Sequence, residues 1–158
     1  MPERNALEVR RERTIIVPAD VLWQIIEPAE NLPVWLPLCD RCERLSGDGL
    51  GRLQRMSVKW GRKQGEIDQE ITEYLPGRRL GWRHVDERLD GRPAPRISSD
   101  VRTLIELHPA PGAATRVVLR SWNVPATALG GLMLRIVALP RIRKAFDKAL
   151  TNLAASSG

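Results

Sequence analysis

Thr14-Ile15-Ile16-Val17-Pro18-Ala19-Asp20-Val21-Leu22-Trp23-Gln24-Ile25-Ile26 changes its period halfway. Its first four residues are β-branched and end a strand that reads from Leu7 to Val17. Pro18 stops that strand and pre-sets the first turn of a helix. Val21, Leu22, Ile25 and Ile26 then share one helical face, with Trp23 beside them. A strand that passes straight into a helix is the opening of this fold.

Downstream, Ala29 to Trp35 reads as a second short helix, and Pro33 inside it predicts a single turn or a break. A run of strands follows. Cys39 to Leu45 is the first, closed by the turn signal Ser46-Gly47-Asp48-Gly49. Arg52 to Trp60 alternates, with Met56, Val58 and Trp60 on one face. Gly61-Arg62-Lys63-Gln64-Gly65 is a hairpin loop. Glu66 to Tyr74 places Ile67, Gln69 and Ile71 against Glu66, Asp68 and Glu70. After Pro76-Gly77, Arg79 to Arg88 brings Leu80, Trp82 and His84 to one face. Arg96 to Leu107 aligns Val101, Thr103, Ile105 and Leu107. Thr115 to Val124 is the last strand, and apolar residues on both of its faces leave open whether Trp122 lines the interior.

From about Ala126 to Ala154 the apolar residues Leu129, Leu132, Met133, Ile136, Val137, Leu139, Ile142, Phe146, Leu150 and Leu153 recur at helical spacing. Pro140 predicts a kink or a split. Gly130-Gly131 either allows close approach to the sheet or softens the helix start. A helix this long after antiparallel strands can lie in the concave face of a curved sheet and enclose a pocket. The expected fold is α+β: a curved antiparallel sheet of about seven strands wrapped on a long C-terminal helix, with two short helices after strand 1.

The chain has 158 residues, which favours one domain. No apolar stretch reaches the roughly 18 to 20 residues of a membrane span. The N-terminus is polar, so no secretory signal is expected and a cytoplasmic location is the default. A net charge of +6 suits anionic partners, among them an acidic carrier protein or a lipid surface touched peripherally. No base-reading module or aromatic RNA motif is present, which argues against nucleic acid. The sequence leaves a monomer or a homodimer open. Five Trp against one Tyr and one Phe offer flat apolar walls for a cavity, or simply core filler.

The order of elements resembles the START-related SRPBCC superfamily, the helix-grip fold. Ile15-Ile16-Val17-Pro18-Ala19-Asp20-Val21-Leu22-Trp23 looks like its opening motif, and Trp35-Leu36-Pro37 like the exit of its second helix. Leu75-Pro76-Gly77-Arg78-Arg79-Leu80-Gly81-Trp82-Arg83 resembles its turn-into-strand segment, and Ala113-Ala114-Thr115-Arg116-Val117-Val118-Leu119 its final hairpin. The nearest subgroup is the polyketide cyclase/dehydrase-like type. The resemblance implies a pocket for an apolar or amphipathic molecule between sheet and helix. It implies no fixed catalytic triad, so the fold alone does not set the chemistry.

His84, on an inward-facing strand position, is the candidate general acid/base, and Gln69 is the second catalytic candidate, an amide able to polarise a substrate carbonyl. The bland alternative for His84 is a hydrogen-bonded or exposed strand-end histidine. Gln69 puts an amide among apolar residues, where it needs a partner from a ligand or a neighbouring strand. Asn123 and Ser121 pose the same question. Expected ligand-binding walls are Met56, Val58, Trp60, Ile67, Ile71, Trp82, Thr103, Ile105, Leu119, Asn123, Met133 and Ile136. Glu66, Asp68 and Glu70 read as a solvated outer face, and His108 as an exposed loop residue. Cys39-Asp40-Arg41-Cys42 lacks a second Cys pair for zinc and reads as structural thiols. No cofactor or metal is expected, and no phosphate-cradling loop or dinucleotide fingerprint is visible. Two functions fit: a polyketide cyclase or dehydratase acting on a hydrophobic substrate, and a non-catalytic binder of a lipid or quinone.

Overall fold

The computed structural model describes residues 5–158. β1 (Leu7–Ile15) leads into α1 (Ala19–Ile26), a 3-10 turn (Ala29–Asn31) and α2 (Leu32–Trp35). β2 (Arg41–Ser46), β3 (Leu53–Trp60), β4 (Lys63–Leu75), β5 (Arg79–Leu89), the two-residue β6 (Arg92–Pro93), β7 (Ser98–Ala110) and β8 (Ala114–Pro125) follow. The chain closes with α3 (Ala128–Met133), a π turn (Leu134–Ala138) and α4 (Leu139–Ser157).

The sheet is antiparallel in the order β1-β8-β7-β5-β4-β3-β2, with β6 attached to β5. This is the expected helix-grip arrangement, with seven strands along its main path. Pro18 precedes α1 in extended geometry, but β1 ends earlier than the expected Val17, at Ile15, where the Val17 N–H turns back to the Ile15 carbonyl at 2.8 Å. Pro33 falls in the first turn of α2, the one place where a helix tolerates it. Pro140 sits in the first turn of α4, directly after the π turn. There the N–H of Leu139 reaches back to the carbonyl of Leu134, a wider loop that absorbs the missing proline donor without breaking the helix.

The core lies between the inner face of the sheet and α1, α2 and α4. Leu22, Trp35, Ile71, Trp82, Ile105, Leu119, Phe146 and Leu153 are buried there together. Trp35 meets Trp82 edge-on with ring centroids 6.4 Å apart. α4 packs against β1, α1 and α2. On β8 the inward residues are Thr115, Val117, Leu119, Ser121 and Asn123, which face Pro109, Leu107, Ile105, Thr103 and Val101 of β7. Trp122 therefore lies outside, where the Arg120 guanidinium stacks 4.8 Å from its ring centroid.

The outer face is a charged lattice. Asp68 takes two hydrogen bonds from Arg55, at 2.8 and 3.2 Å, and two from Arg88, at 3.1 and 3.3 Å. Arg83 reaches Glu70 at 3.2 Å. The three carboxylates of β4 are thus the outer, ion-paired row the alternation predicts. The Arg55 and Arg88 hydrogen bonds hold Asp68 below the usual carboxylate range.

Candidate functional site

The inner face divides into two halves. At the α4 end Ile71, Leu80, Trp82, Ile105, Leu107, Val117 and Leu119 are sealed from solvent. At the other end Val58, Ile67, His84, Val101 and Thr103 face the same way yet remain partly exposed. Of the expected walls, Met56, Ile71, Trp82, Ile105 and Leu119 therefore belong to the packed core. Val58, Ile67 and Thr103 border the open half. Asn123 is buried beside it, accepting from Ser98 Oγ and donating to Ser121 Oγ, both at 3.4 Å. Trp60 stands at the end of β3, and its side chain lies outside the described residues. Met133 and Ile136 depart from expectation: they are 44% and 66% exposed. The helix turns Gly130 and Leu134 toward the fold instead, and Ile136 lies roughly opposite Leu134.

Gln69 finds its partners within the sheet. It is opposite Gln54 on β3, and its carbonyl accepts from Gln54 Nε2 at 2.8 Å. Its amide lies 3.7 Å from Met56 Sδ. Gln54 in turn accepts from Arg52 Nε at 3.2 Å, and Arg52 clamps Glu27 at the end of α1 through its carboxylate at 3.0 Å and its carbonyl at 2.8 Å. A buried polar row thus runs from the end of α1 across β3 to β4. Each amide it contains is engaged within the protein, as burial demands.

His84 is built differently. Gln69 pairs with His84, but the next pair along is Asp68 with Asp86, so β5 carries one extra residue at Val85. In a regular strand residues i and i+3 point to opposite faces. The bulge at Val85 cancels that alternation and turns Glu87 to the face of His84. His84 Nδ1 and Glu87 Oε1 are 2.7 Å apart. The His84 hydrogen bond holds Glu87 below its ordinary value, so it is the ionised acceptor of the pair. The ring must then carry a proton on Nδ1, and in the neutral ring Nε2 is the acceptor. Sequence reading singled out His84 and missed Glu87, because regular strand parity assigns Glu87 to the outer face.

Cys39 and Cys42 are both buried and free. Burial pushes each thiol up to about 12, so both are protonated near neutral pH. Among the described residues no cluster of three or more His, Cys, Asp or Glu side chains could hold a metal ion. His108 is half exposed, 3.8 Å from Glu106. A cleft of about 590 Å3 lies outside the sheet–helix interface, lined by Asn5, Pro125, Thr127, Gly131, Leu132 and Arg135 among others. None of the expected wall residues lines it. No helix among the described residues is long and apolar enough to cross a membrane.

The sequence matches, over residues 6–158, the family described as polyketide cyclase / dehydrase and lipid transport. Among solved structures, an aromatase/cyclase (Zhui) from Streptomyces sp. R1128 superposes with a TM-score of 0.71 at 15% identity, covering 96% of this chain and 93% of that one. A protein from Thermus thermophilus gives 0.74 at 18% identity, covering 96% and 97%. Ara h 8.0201 gives 0.73 at 13%, also covering 96% and 97%. At these identities the likeness is one of fold. Among curated proteins, none matches.

Proposed function

We propose that this chain, which belongs to the polyketide cyclase / dehydrase and lipid transport family, holds a hydrophobic small molecule on the open half of its inner face and moves protons on it through His84. The observation that carries the reading is the His84–Glu87 pair, aimed inward by a bulge and bordered by Val58 and Ile67. Bulges that re-aim a side chain concentrate next to functional sites. Nε2 of a ring held by a carboxylate suits removal of a proton next to a ketone, or its return to a leaving hydroxyl. The apolar surroundings would fold a flexible polyketide-like chain so that its reacting carbons meet. The substrate class is therefore a polyketone-like chain, and the reaction a cyclisation or dehydration. An acidic carrier protein could deliver it to this basic surface.

A second reading is a non-catalytic carrier of a lipid or quinone. It is favoured by the self-sufficiency of the other inward polar groups: Gln54, Gln69, Ser98, Ser121 and Asn123 bond one another. Native mass spectrometry of the protein from its own host, with extraction of whatever it holds, separates the two. A bound cyclised or dehydrated product, or conversion of a chain-like polyketone, supports the enzyme. An intact lipid or quinone with no turnover supports the carrier. A protein that neither retains nor takes up an apolar molecule would sink both.

A further inference from the structure

The C-terminal helix carries an apolar stripe that the fold does not use. Leu129, Leu132, Met133, Ile136 and Val137 recur at i, i+3, i+4, i+7 and i+8, the spacing of a buried helical face. They are nevertheless 71%, 53%, 44%, 66% and 39% exposed. The residues that meet the fold at this level are Gly130 and Leu134. A Cβ at Gly130 would stand 2.7 Å from the carbonyl oxygen of Ile97, so the helix is pressed against the 94–97 segment on the side away from the stripe. Ile97 is itself 36% exposed beside that contact.

The stripe has a charged continuation. Along α4 the inward line is Ile142, Phe146, Ala149 and Leu153. Arg141, Lys144 and Lys148 fall on the opposite side and are exposed, prolonging the outer ridge. Arg135 and Arg143 flank it, and exposed Arg92 and Arg96 precede Ile97 on the neighbouring segment. From Ala126 to Phe146 the sequence holds no Asp or Glu.

We propose that this ridge docks the protein on an anionic lipid bilayer, the five apolar side chains entering the headgroup boundary and the Arg and Lys side chains meeting lipid phosphates. An apolar strip bordered by cations is the pattern of an interfacial helix. A second copy of the chain is a poorer occupant, because two such basic rows would repel across a two-fold axis in a protein of net charge +6. Docking through the ridge is independent of what the inner face holds.

The test is co-sedimentation with phosphatidylcholine vesicles, with and without phosphatidylglycerol, at low and high salt. The wild type is expected to partition onto the anionic vesicles and to lose at least about tenfold in partitioning at high salt. Leu132→Glu/Ile136→Glu and Arg141→Glu/Lys144→Glu should each lose about tenfold or more with an unchanged far-UV spectrum. Failure to bind, equal binding to neutral vesicles, or full binding by either variant would overturn the proposal. So would a dimer in sedimentation velocity that the Leu132→Glu/Ile136→Glu variant dissociates. None of these outcomes bears on ligand retention by the inner face, which is read from the extracted molecule.

Discussion

His84 and Glu87 are three residues apart on one strand, yet their side chains meet at 2.7 Å on the same face of the sheet. The contact exists because β5 has one residue more than β4 between Gln69–His84 and Asp68–Asp86. An ionised Glu87 fixes the tautomer of His84, and that fixes which ring nitrogen can address a ligand.

The first prediction follows from that tautomer. Nitrogen NMR of the His84 ring should find the proton on Nδ1 in the wild type and a shift toward Nε2–H in Glu87→Ala. If the protein turns over a polyketone, His84→Ala should lower turnover by about a hundredfold or more. Ligand retention should stay within a few-fold. An unchanged ring spectrum in Glu87→Ala would remove Glu87 from the site.

Gln69 is expected to act on stability rather than on chemistry. Gln69→Leu leaves Gln54 Nε2 buried without its 2.8 Å acceptor and should cost about 1–3 kcal/mol in urea unfolding. The double variant Gln54→Leu/Gln69→Leu should cost less than the sum of the two single variants, because the Gln54–Gln69 bond is lost only once, while Arg52 Nε still loses its 3.2 Å acceptor. Strict additivity of the two single effects would show that the amides do not depend on each other.

Gly130→Ala sets two effects against each other. Helix propensity favours alanine by about 1 kcal/mol. The new Cβ would meet the Ile97 carbonyl oxygen at 2.7 Å, and relieving such a clash against backbone typically costs about 1–3 kcal/mol. The clash should win, with net destabilisation read from the urea midpoint. A stabilised variant would mean that α3 moves away from the 94–97 segment at little cost.

Asp68 gives a pH signature. Its folded pKa is depressed, first by the Arg55 hydrogen bonds. Its contribution is therefore complete above the unfolded value of about 3.9 and fades as pH falls through the lower folded value. Asp68→Asn should cost about 1–2 kcal/mol at pH 7. The gap to wild type should narrow below pH 4. A gap of the same size at pH 7 and at pH 3 would show that charge is not what Asp68 supplies.

Element order was legible because its punctuation is local. Pro18 separates β1 from α1, glycines mark the hairpin between β3 and β4, and alternation of Ile67, Gln69 and Ile71 against Glu66, Asp68 and Glu70 sets the faces of β4. Two features were not legible, for separate reasons. The parity of β8 is masked because Val118, on the outer face, is buried as fully as its inward neighbours. Outer-face arginines such as Arg116 and Arg120 flank it, and such long stems cover apolar surface. The bulge at Val85 leaves no compositional mark, so regular alternation does not bring Glu87 to the face of His84. On the C-terminal helix, Met133 and Ile136 carry the period of a buried face, and only Gly130 hinted that the close approach lies elsewhere.

The pairing of β1 with β8 sets a timetable for assembly. Ile15 lies opposite Thr115, and Leu7 opposite Asn123, so β1 is hydrogen-bonded only to β8, about a hundred residues further along the chain. Until β8 has been made, Val9 and Ile15 have no sheet to join, and the hairpins from β2 to β7 form around an unfilled edge. Such distant closure slows folding and prolongs exposure of apolar strands. Assembly of the sheet is thus gated by its longest-range pairing.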